Sequence, residues 1–311
     1  MSLLACPASL KGVLTATEAA AALVAGLGPH ARALPVADGG EGTAEVLASV
    51  LGGRWRAAQA ADPLGRVVTA RWLLLPDGTA VIESAEAIGL GRLAAGELDP
   101  LAASSAGLGQ ILLAALHAEP TAVLVCLGGS ATVDGGAGLL SIVPEWPSRV
   151  PLIVACDVRN PLLGARGAAR VFAPQKGASP EVVEALERRL AAMTRIAPFR
   201  DLRGAGAAGG LGAALASLGG SLVEGAELVL DRIGFDESAR GASFVVTGEG
   251  TVDRSSFEGK ATGAVLARCR RLGVPCVLFG GRGVEGIEAR ALSGDPTRAR
   301  EDLQALGLSL R

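Results

Sequence analysis

Residues 122–142 read AVLVCLGGSATVDGGAGLLSI, and the fold class turns on them. Ala122–Leu127 is a short, unbroken apolar run, the pattern of a strand covered on both faces. It gives way to Gly128-Gly129-Ser130-Ala131-Thr132-Val133-Asp134-Gly135-Gly136-Ala137-Gly138, and a helical stretch begins over Gly136–Ile142. A buried strand, a glycine-lined bend and a helix form the repeating unit of an open α/β sheet. In such sheets ligand loops sit where the strands run out.

The same order recurs outward from this segment. Leu3–Cys6, Ala33–Val36, Leu152–Cys156, Ser243–Thr247 and Cys276–Phe279 read as further apolar strands. Between them lie helical stretches. The first follows Thr15, with Glu18 completing a capping box. The others are Glu41–Leu51, Leu108–Leu116, Pro180–Met193 behind the cap Ser179, Leu211–Leu218 and Thr262–Leu272. Strands separated by helices predict parallel sheet with helical crossovers. Arg54–Ala60, Val67–Leu75 and Thr79–Glu83 depart from this. They follow one another through the turn signals Asp62-Pro63-Leu64-Gly65 and Pro76-Asp77-Gly78, which predicts an antiparallel meander and with it a second domain. The stretch 295–311 carries little pattern.

The composition narrows the chemistry. The 311 residues are 50% apolar, enough for about two domains of roughly 100–200 residues each. Net charge is −2 with no Lys/Arg block, which argues against nucleic acid as a partner. The apolar runs are too interrupted for a transmembrane helix, and the opening MSLLACP lacks a basic leader region and reads as a strand. A cytoplasmic protein is expected, with Cys6, Cys126, Cys156, Cys269 and Cys276 as unpaired thiols. Two histidines and no tyrosine leave little for a histidine metal site or a Ser-His-Asp relay. The chemistry therefore falls to Asp, Glu, Lys, Arg, Ser, Thr and backbone amides.

Glycine, at 44 residues, is about twice its average usage and is clustered. Ala37-Asp38-Gly39-Gly40-Glu41-Gly42-Thr43 follows an apolar run, and a phosphate at the next helix N-terminus beside a carboxylate holding Mg²⁺ accounts for it. Asp38 as a plain helix cap is the alternative. The Gly128–Gly138 bend offers successive amides for an anion, or else a tight packing corner. Thr247-Gly248-Glu249-Gly250-Thr251-Val252-Asp253, ending in Gly259-Lys260, suits metal plus phosphate without being a Walker A loop. Gly204-Ala205-Gly206-Ala207-Ala208-Gly209-Gly210 contains G-x-G-x-x-G but no strand precedes it. It is expected as a flexible loop closing on nucleotide or substrate rather than as a dinucleotide fingerprint. Asp157 at a strand end and Lys176 in a loop complete an inventory suited to phosphoryl transfer, in which lysines and amides cradle phosphate, acids hold Mg²⁺ and an acid orients the hydroxyl.

At these residues the sequence resembles the bacterial type I glycerate kinase family. The matching stretches are Lys11-Gly12, VADGGEGT (36–43), Pro63-Leu64-Gly65, LGGSATVDGGAGLL (127–140), ACDVRNPL (155–162), FAPQKGA (172–178), residues 204–214, Thr247–Gly250 and Gly259-Lys260. The resemblance implies an α/β fold of two lobes with the active site in the cleft between them. One lobe is Rossmann-like with a mainly parallel sheet, and one is smaller with a mixed or antiparallel sheet. The expected boundaries are 1–50 plus 101–148 plus 236–311 for the first and 51–100 plus 149–235 for the second. It also implies ATP-dependent phosphorylation of (R)-glycerate to 2-phosphoglycerate or 3-phosphoglycerate, with Mg²⁺ as cofactor. Glycerate and ATP are the partners, there is no membrane, and a homodimer is admitted.

The residues expected to act catalytically are Asp157, Asp38 and Lys11. Substrate and nucleotide fall to Gly39, Gly40, Glu41, Thr43, Gly128, Gly129, Ser130, Thr132, Asp134, Lys176, Gly206, Gly209, Gly248, Gly250 and Lys260, and the metal to Glu249 and Asp253. The chain departs from the family pattern at Ala8, where an acid is usual, at Val133, where Asn is usual, and at Thr251, where Arg is usual and Arg254 stands nearby. Two rivals follow: a family member with an altered hydroxy-acid substrate or a non-catalytic binding role, and a dehydrogenase built on Gly204–Gly209.

Overall fold

A computed structural model describes residues 2–257, 259–281 and 289–311, with the backbone alone at Ser255. Along these residues the strands are β1 (Ser2–Pro7), β2 (Ala31–Ala33), β3 (Arg54–Ala61), β4 (Val67–Leu74), β5 (Thr79–Glu83), β6 (Ala122–Cys126), β7 (Leu152–Cys156), β8 (Ser221–Glu224), β9 (Ala242–Glu249), β10 (Cys276–Gly280) and β11 (Arg290–Ala291). The chain divides into two compact units. One is Met1–Asp38, Glu45–Leu51 and Glu224–Arg311; the other is Gly39–Ala44 and Gly52–Val223.

The first unit carries a sheet in the order β11-β10-β9-β1-β2. Every pairing in it is parallel. The helix Ala16–Leu27 starts at the predicted capping box, where Glu18 N–H donates to Thr15 Oγ1 and Thr15 N–H to the Glu18 carboxylate. Its Ala19, Ala22, Leu23 and Leu27 pack with Ala5 of β1, Val246 of β9, and Leu303 and Leu306 of the last helix, Ala299–Ser309. That helix lies in the stretch expected to be weakly patterned. Its apolar contacts, Ala299, Leu303 and Leu306, are few but fall four and three residues apart, which puts them on one face.

The second unit carries a six-stranded sheet in the order β3-β4-β5-β6-β7-β8. The predicted meander is present, since β3/β4 and β4/β5 are antiparallel. It is continuous with the parallel strands: β5 pairs β6, and β6 pairs β7, in parallel. All five residues of β5 are buried, as a β-branched run between two neighbours requires. At the edge, β3 exposes Arg54 and Arg56, charges that suit an unpaired strand margin, with Trp55 exposed between them. Leu108, Ile111 and Leu112 of the helix Ala106–Leu116 meet Val123, Val125, Val154, Leu186, Leu211 and Leu215 in the unit's core.

Two sequence expectations are corrected here. The mixed-sheet unit is the larger of the two, and residues 101–148 belong to it, because β6 hydrogen-bonds between β5 and β7 rather than joining β1 and β9. Residues 39–44 also belong to it, whereas residues 224–235 fall in the first unit. None of the five cysteines forms a disulfide; Cys6, Cys126, Cys156 and Cys269 are buried and Cys276 is half-buried. Among the described residues no helix is long and apolar enough to cross a membrane.

Candidate active site

In the second unit the carboxyl ends of β5, β6 and β7 bring together several of the expected residues. The bend after β6 is pinned from both sides. Leu90 N–H donates to Gly129 O (2.6 Å), Ala131 N–H to Ile88 O (2.8 Å), and the Ser84 hydroxyl to Gly128 O (3.0 Å). Beneath it lies Lys176, 4% exposed, at the end of the turn Pro174–Lys176. Its ammonium donates to Ser130 Oγ (3.1 Å) and Thr132 O (2.8 Å). Burial pushes the Lys176 ammonium down to about 7, with the Asp134 carboxylate pulling the other way. Lys176 was expected to reach a ligand; instead its side chain is spent inside the protein, on the bend itself.

Asp134 is corrected in the same sense. Its carboxylate, 1% exposed, accepts the N–H of Ser105 (2.9 Å), Gly136 (3.0 Å) and Gly138 (3.1 Å) and the Ser105 hydroxyl (2.8 Å). Four donors converge on two oxygens, which is the geometry of a permanent internal anchor. Asp134 holds the start of the helix Ala137–Ile142 and is not presented to a ligand. Thr132 is wholly buried, its hydroxyl without a hydrogen-bond partner among the described residues. Gly128 and Gly129 remain at the surface of the bend, and Asp157 is half-buried in the bend after β7.

The Gly204–Gly210 segment packs against the second unit's own backbone. Gly206 and Gly209 are buried, Gly206 N–H donates to Asn160 O (2.9 Å), and Gly135 N–H donates to Gly209 O (3.0 Å). Gly209 has φ +74°, and a Cβ there would overlap the carbonyl oxygen of Thr132. These glycines let one backbone lie against another rather than against a cofactor, so the structure gives no support to the dehydrogenase reading.

The bend before the helix Thr43–Leu51 holds a residue the sequence reading missed. Glu83, the last residue of β5 and 8% exposed, accepts Gly42 N–H (3.1 Å) on one carboxylate oxygen and Ala44 N–H (2.7 Å) on the other. The amides at this helix N-terminus were expected to meet a phosphate; two of them are taken by an internal carboxylate. Burial raises the Glu83 carboxyl to about 7; the two N–H bonds lower it, and Glu86 and Glu41 raise it further. Its signal in the sequence was an acid ending the otherwise apolar run Thr79–Ile82. The Gly39–Thr43 bend lies against the Gly128 bend, since a Cβ on Gly128 would come within 2.9 Å of the Gly40 Cα. Glu41 is exposed, and Thr43 is buried with its hydroxyl unpartnered among the described residues.

The first unit gathers the remaining expected residues at the carboxyl ends of β1 and β9. Ala8 N–H donates to Gly248 O (2.9 Å), and Gly250 lies beside the backbone of Leu10 and Lys11. Lys11 itself is exposed. Glu249 ends β9 with one carboxylate oxygen buried and without a hydrogen-bond partner among the described residues. Burial raises its carboxyl above the usual range. The Ser256 hydroxyl, the Lys260 ammonium and the Thr262 hydroxyl lower it, and Asp38 raises it. Lys260 is the N-cap of the helix Ala261–Leu272, and Thr262 is buried in its first turn. Asp253 is half-buried, its N–H bonded to Ser256 Oγ (3.1 Å). Among the described residues no cluster of three or more His, Cys, Asp or Glu side chains forms a ready metal cage. An unsatisfied carboxylate oxygen with a second acid close by nevertheless fits Mg²⁺, which binds through one or two carboxylates and completes its shell with phosphate and water.

A family model described as the glycerate kinase family matches residues 3–144 and 142–295. The chain belongs to the glycerate kinase family. It is 37% identical over 291 residues to glycerate 2-kinase of Escherichia coli K12, covering 79% of this chain and 76% of that one. It is 41% identical over 303 residues to an uncharacterised protein of Mycobacterium bovis, covering 91% and 79%. A solved crystal structure from Salmonella typhimurium LT2, provisionally named glycerate kinase 2, matches with TM-score 0.85 at 32% identity over 100% of this chain and 97% of that one. As a glycerate kinase family member the chain tolerates its departures locally: Ala8 keeps the backbone bond to Gly248, and Val133 is wholly buried in the second unit's core.

Proposed function

We propose that this chain is a glycerate kinase that transfers the γ-phosphate of ATP to a hydroxyl of (R)-glycerate, with 2-phosphoglycerate as product. The observation that carries the reading is Glu249: a half-buried glutamate with one buried carboxylate oxygen that has no hydrogen-bond partner among the described residues, at a strand's carboxyl end, between two glycines and beside the Lys260 that caps a 12-residue helix. The choice of product follows the name of the Escherichia coli relative.

Phosphoryl transfer asks the protein for position and countercharge more than for covalent chemistry. Glu249 with Asp38 or Asp253 would hold Mg²⁺, which would supply countercharge to the triphosphate and so lessen its repulsion of the incoming oxygen. Lys260 and the amides beside Gly248 and Gly250 bind phosphate oxygens, and Lys11 neutralises phosphate or the glycerate carboxylate. Asp38 or Asp157 orients the acceptor hydroxyl and takes its proton as the oxygen attacks phosphorus. Gly39, Gly40, Gly128 and Gly129 offer close backbone approach, while Lys176, Asp134, Gly206 and Gly209 keep the bends in shape.

The test is turnover of (R)-glycerate and related hydroxy acids by the purified chain with Mg-ATP, the product being read by ³¹P NMR. Phosphoglycerate is expected, with losses on the order of a hundredfold or more in Asp38→Asn or Asp157→Asn, whichever is the base, and in Glu249→Gln. Nucleotide binding without product from any hydroxy acid would overturn the kinase reading in favour of a binding role. Near-wild-type rates in both aspartate variants would overturn the assignment of the base.

A further inference from the structure

We propose that Glu83 is a positioning residue for phosphoryl transfer, holding the Gly39–Ala44 bend in its working shape through the backbone amides of Gly42 and Ala44. The inference rests on the glycerate kinase reading for its kinetic consequence, but the grip itself is independent of that reading.

The bend has little else to define it. Gly39, Gly40 and Gly42 resist collapse poorly, and Gly39 and Gly42 sit at φ +87° and +89°. A stretch so rich in glycine loses more chain entropy on ordering than any other, so its shape must be imposed from outside. Glu83 imposes it at two points, one per carboxylate oxygen, at 3.1 and 2.7 Å. Both bonds are charge-assisted and shielded from water, the setting in which hydrogen bonds are strongest. The next residue repeats the device on the neighbouring bend. The Ser84 hydroxyl donates to Gly128 O (3.0 Å) and accepts Gly128 N–H (3.3 Å). Two consecutive residues at the rigid end of β5 therefore fix two glycine bends against each other.

The carboxylate form is the one that holds. A protonated Glu83 turns one oxygen into a donor facing an N–H donor, and one of the two bonds is lost. The ionisable groups around it are Glu41 on the bend, Glu86 on the turn of helix Ala85–Ile88 with its partners Arg71 and Arg92, and Cys126, its register partner on β6. Since the carboxyl titrates near neutrality, the share of molecules with both bonds made rises with pH through about 7.

Glu83→Gln is the test, because it keeps the size and makes the loss of one of the two bonds permanent. Hydrogen exchange by mass spectrometry on peptides covering 38–46 is expected to speed up on the order of tenfold to a hundredfold, the range of one charge-assisted bond. In turnover, kcat/KM is expected to fall by a similar factor, and the acid limb of the wild-type pH profile near neutrality is expected to vanish in the variant. A merely structural glutamate would leave that limb in place. Should Glu83→Gln fail to fold, Glu83→Asp, one methylene short of spanning both amides, is read in its place for exchange and kcat/KM. Wild-type exchange at 38–46 in a folded variant, or an unchanged pH limb in folded Glu83→Gln, would overturn the proposal. Faster exchange with no turnover even in the wild type would instead sink the kinase reading and leave the grip standing.

Discussion

Replacing Lys176 with methionine should abolish a rise in stability that the wild type shows between pH 7 and 9. In the folded chain the ammonium lies under the Gly128–Thr132 bend, and burial brings its proton affinity from 10.5 down to about 7. The unfolded chain has no such burial and keeps its proton until near the ordinary value. Between pH 7 and 9 the unfolded state therefore binds more protons than the folded one, and stability must climb with pH. The interval is two pH units at about 1.36 kcal/mol each, less the fraction already deprotonated at the start, which leaves about 2 kcal/mol. Above the ordinary lysine value the contribution is complete, and it declines as pH falls toward 7.

The measurement is urea unfolding at pH 7, 8 and 9 at fixed ionic strength, for wild type and Lys176→Met, with the difference taken at each pH. Methionine fills much of the same volume and cannot titrate, so whatever it costs in lost bonds to Ser130 and Thr132 is the same at every pH. The slope of the difference isolates the one proton. A difference constant to within about 0.5 kcal/mol across the interval would refute the buried, deprotonating lysine. Glu83 has the opposite sign. Its raised carboxyl gives stability that is present below the ordinary 4.5 and lost as pH climbs toward about 7, so the two groups together place a shallow stability minimum near neutrality.

Asp134→Asn replaces one acceptor oxygen with a donor among the amides of Ser105, Gly136 and Gly138 and should cost about 3 kcal/mol in chemical unfolding; a loss under about 1 kcal/mol would remove Asp134 from its anchoring role. Gly209→Ala meets both a left-handed backbone and the Thr132 carbonyl, so a drop of about 2–4 kcal/mol is expected by thermal unfolding, and near-wild-type melting would mean the 204–210 segment is looser than its packing indicates.

Alternating apolar runs and helices made the α/β class legible, and the Asp-Pro-Leu-Gly and Pro-Asp-Gly turns made β3 to β5 legible as a meander, because both signals are local. The sheet to which residues 122–126 belong was not, because pairing of β5 with β6 joins segments separated by a whole helix and nothing local marks the partner. The glycine bends were visible as clusters for the same local reason, yet which of their polar groups face a ligand was not. Asp134 and Lys176 look in sequence like any acid and lysine beside glycines, and folding spends both on the protein's own backbone and hydroxyl groups. The amides of Gly42 and Ala44 look like a phosphate cradle until a carboxylate about forty residues away takes them. A glycine-rich bend shows where close backbone approach is allowed. What approaches depends on which buried charges the rest of the fold delivers there, and burial of a charge without partners is costly enough that such charges claim the nearest amides first. Glu249 stands out by this rule: among the described residues its buried oxygen has no hydrogen-bond donor, which is why the proposed cation is assigned to it.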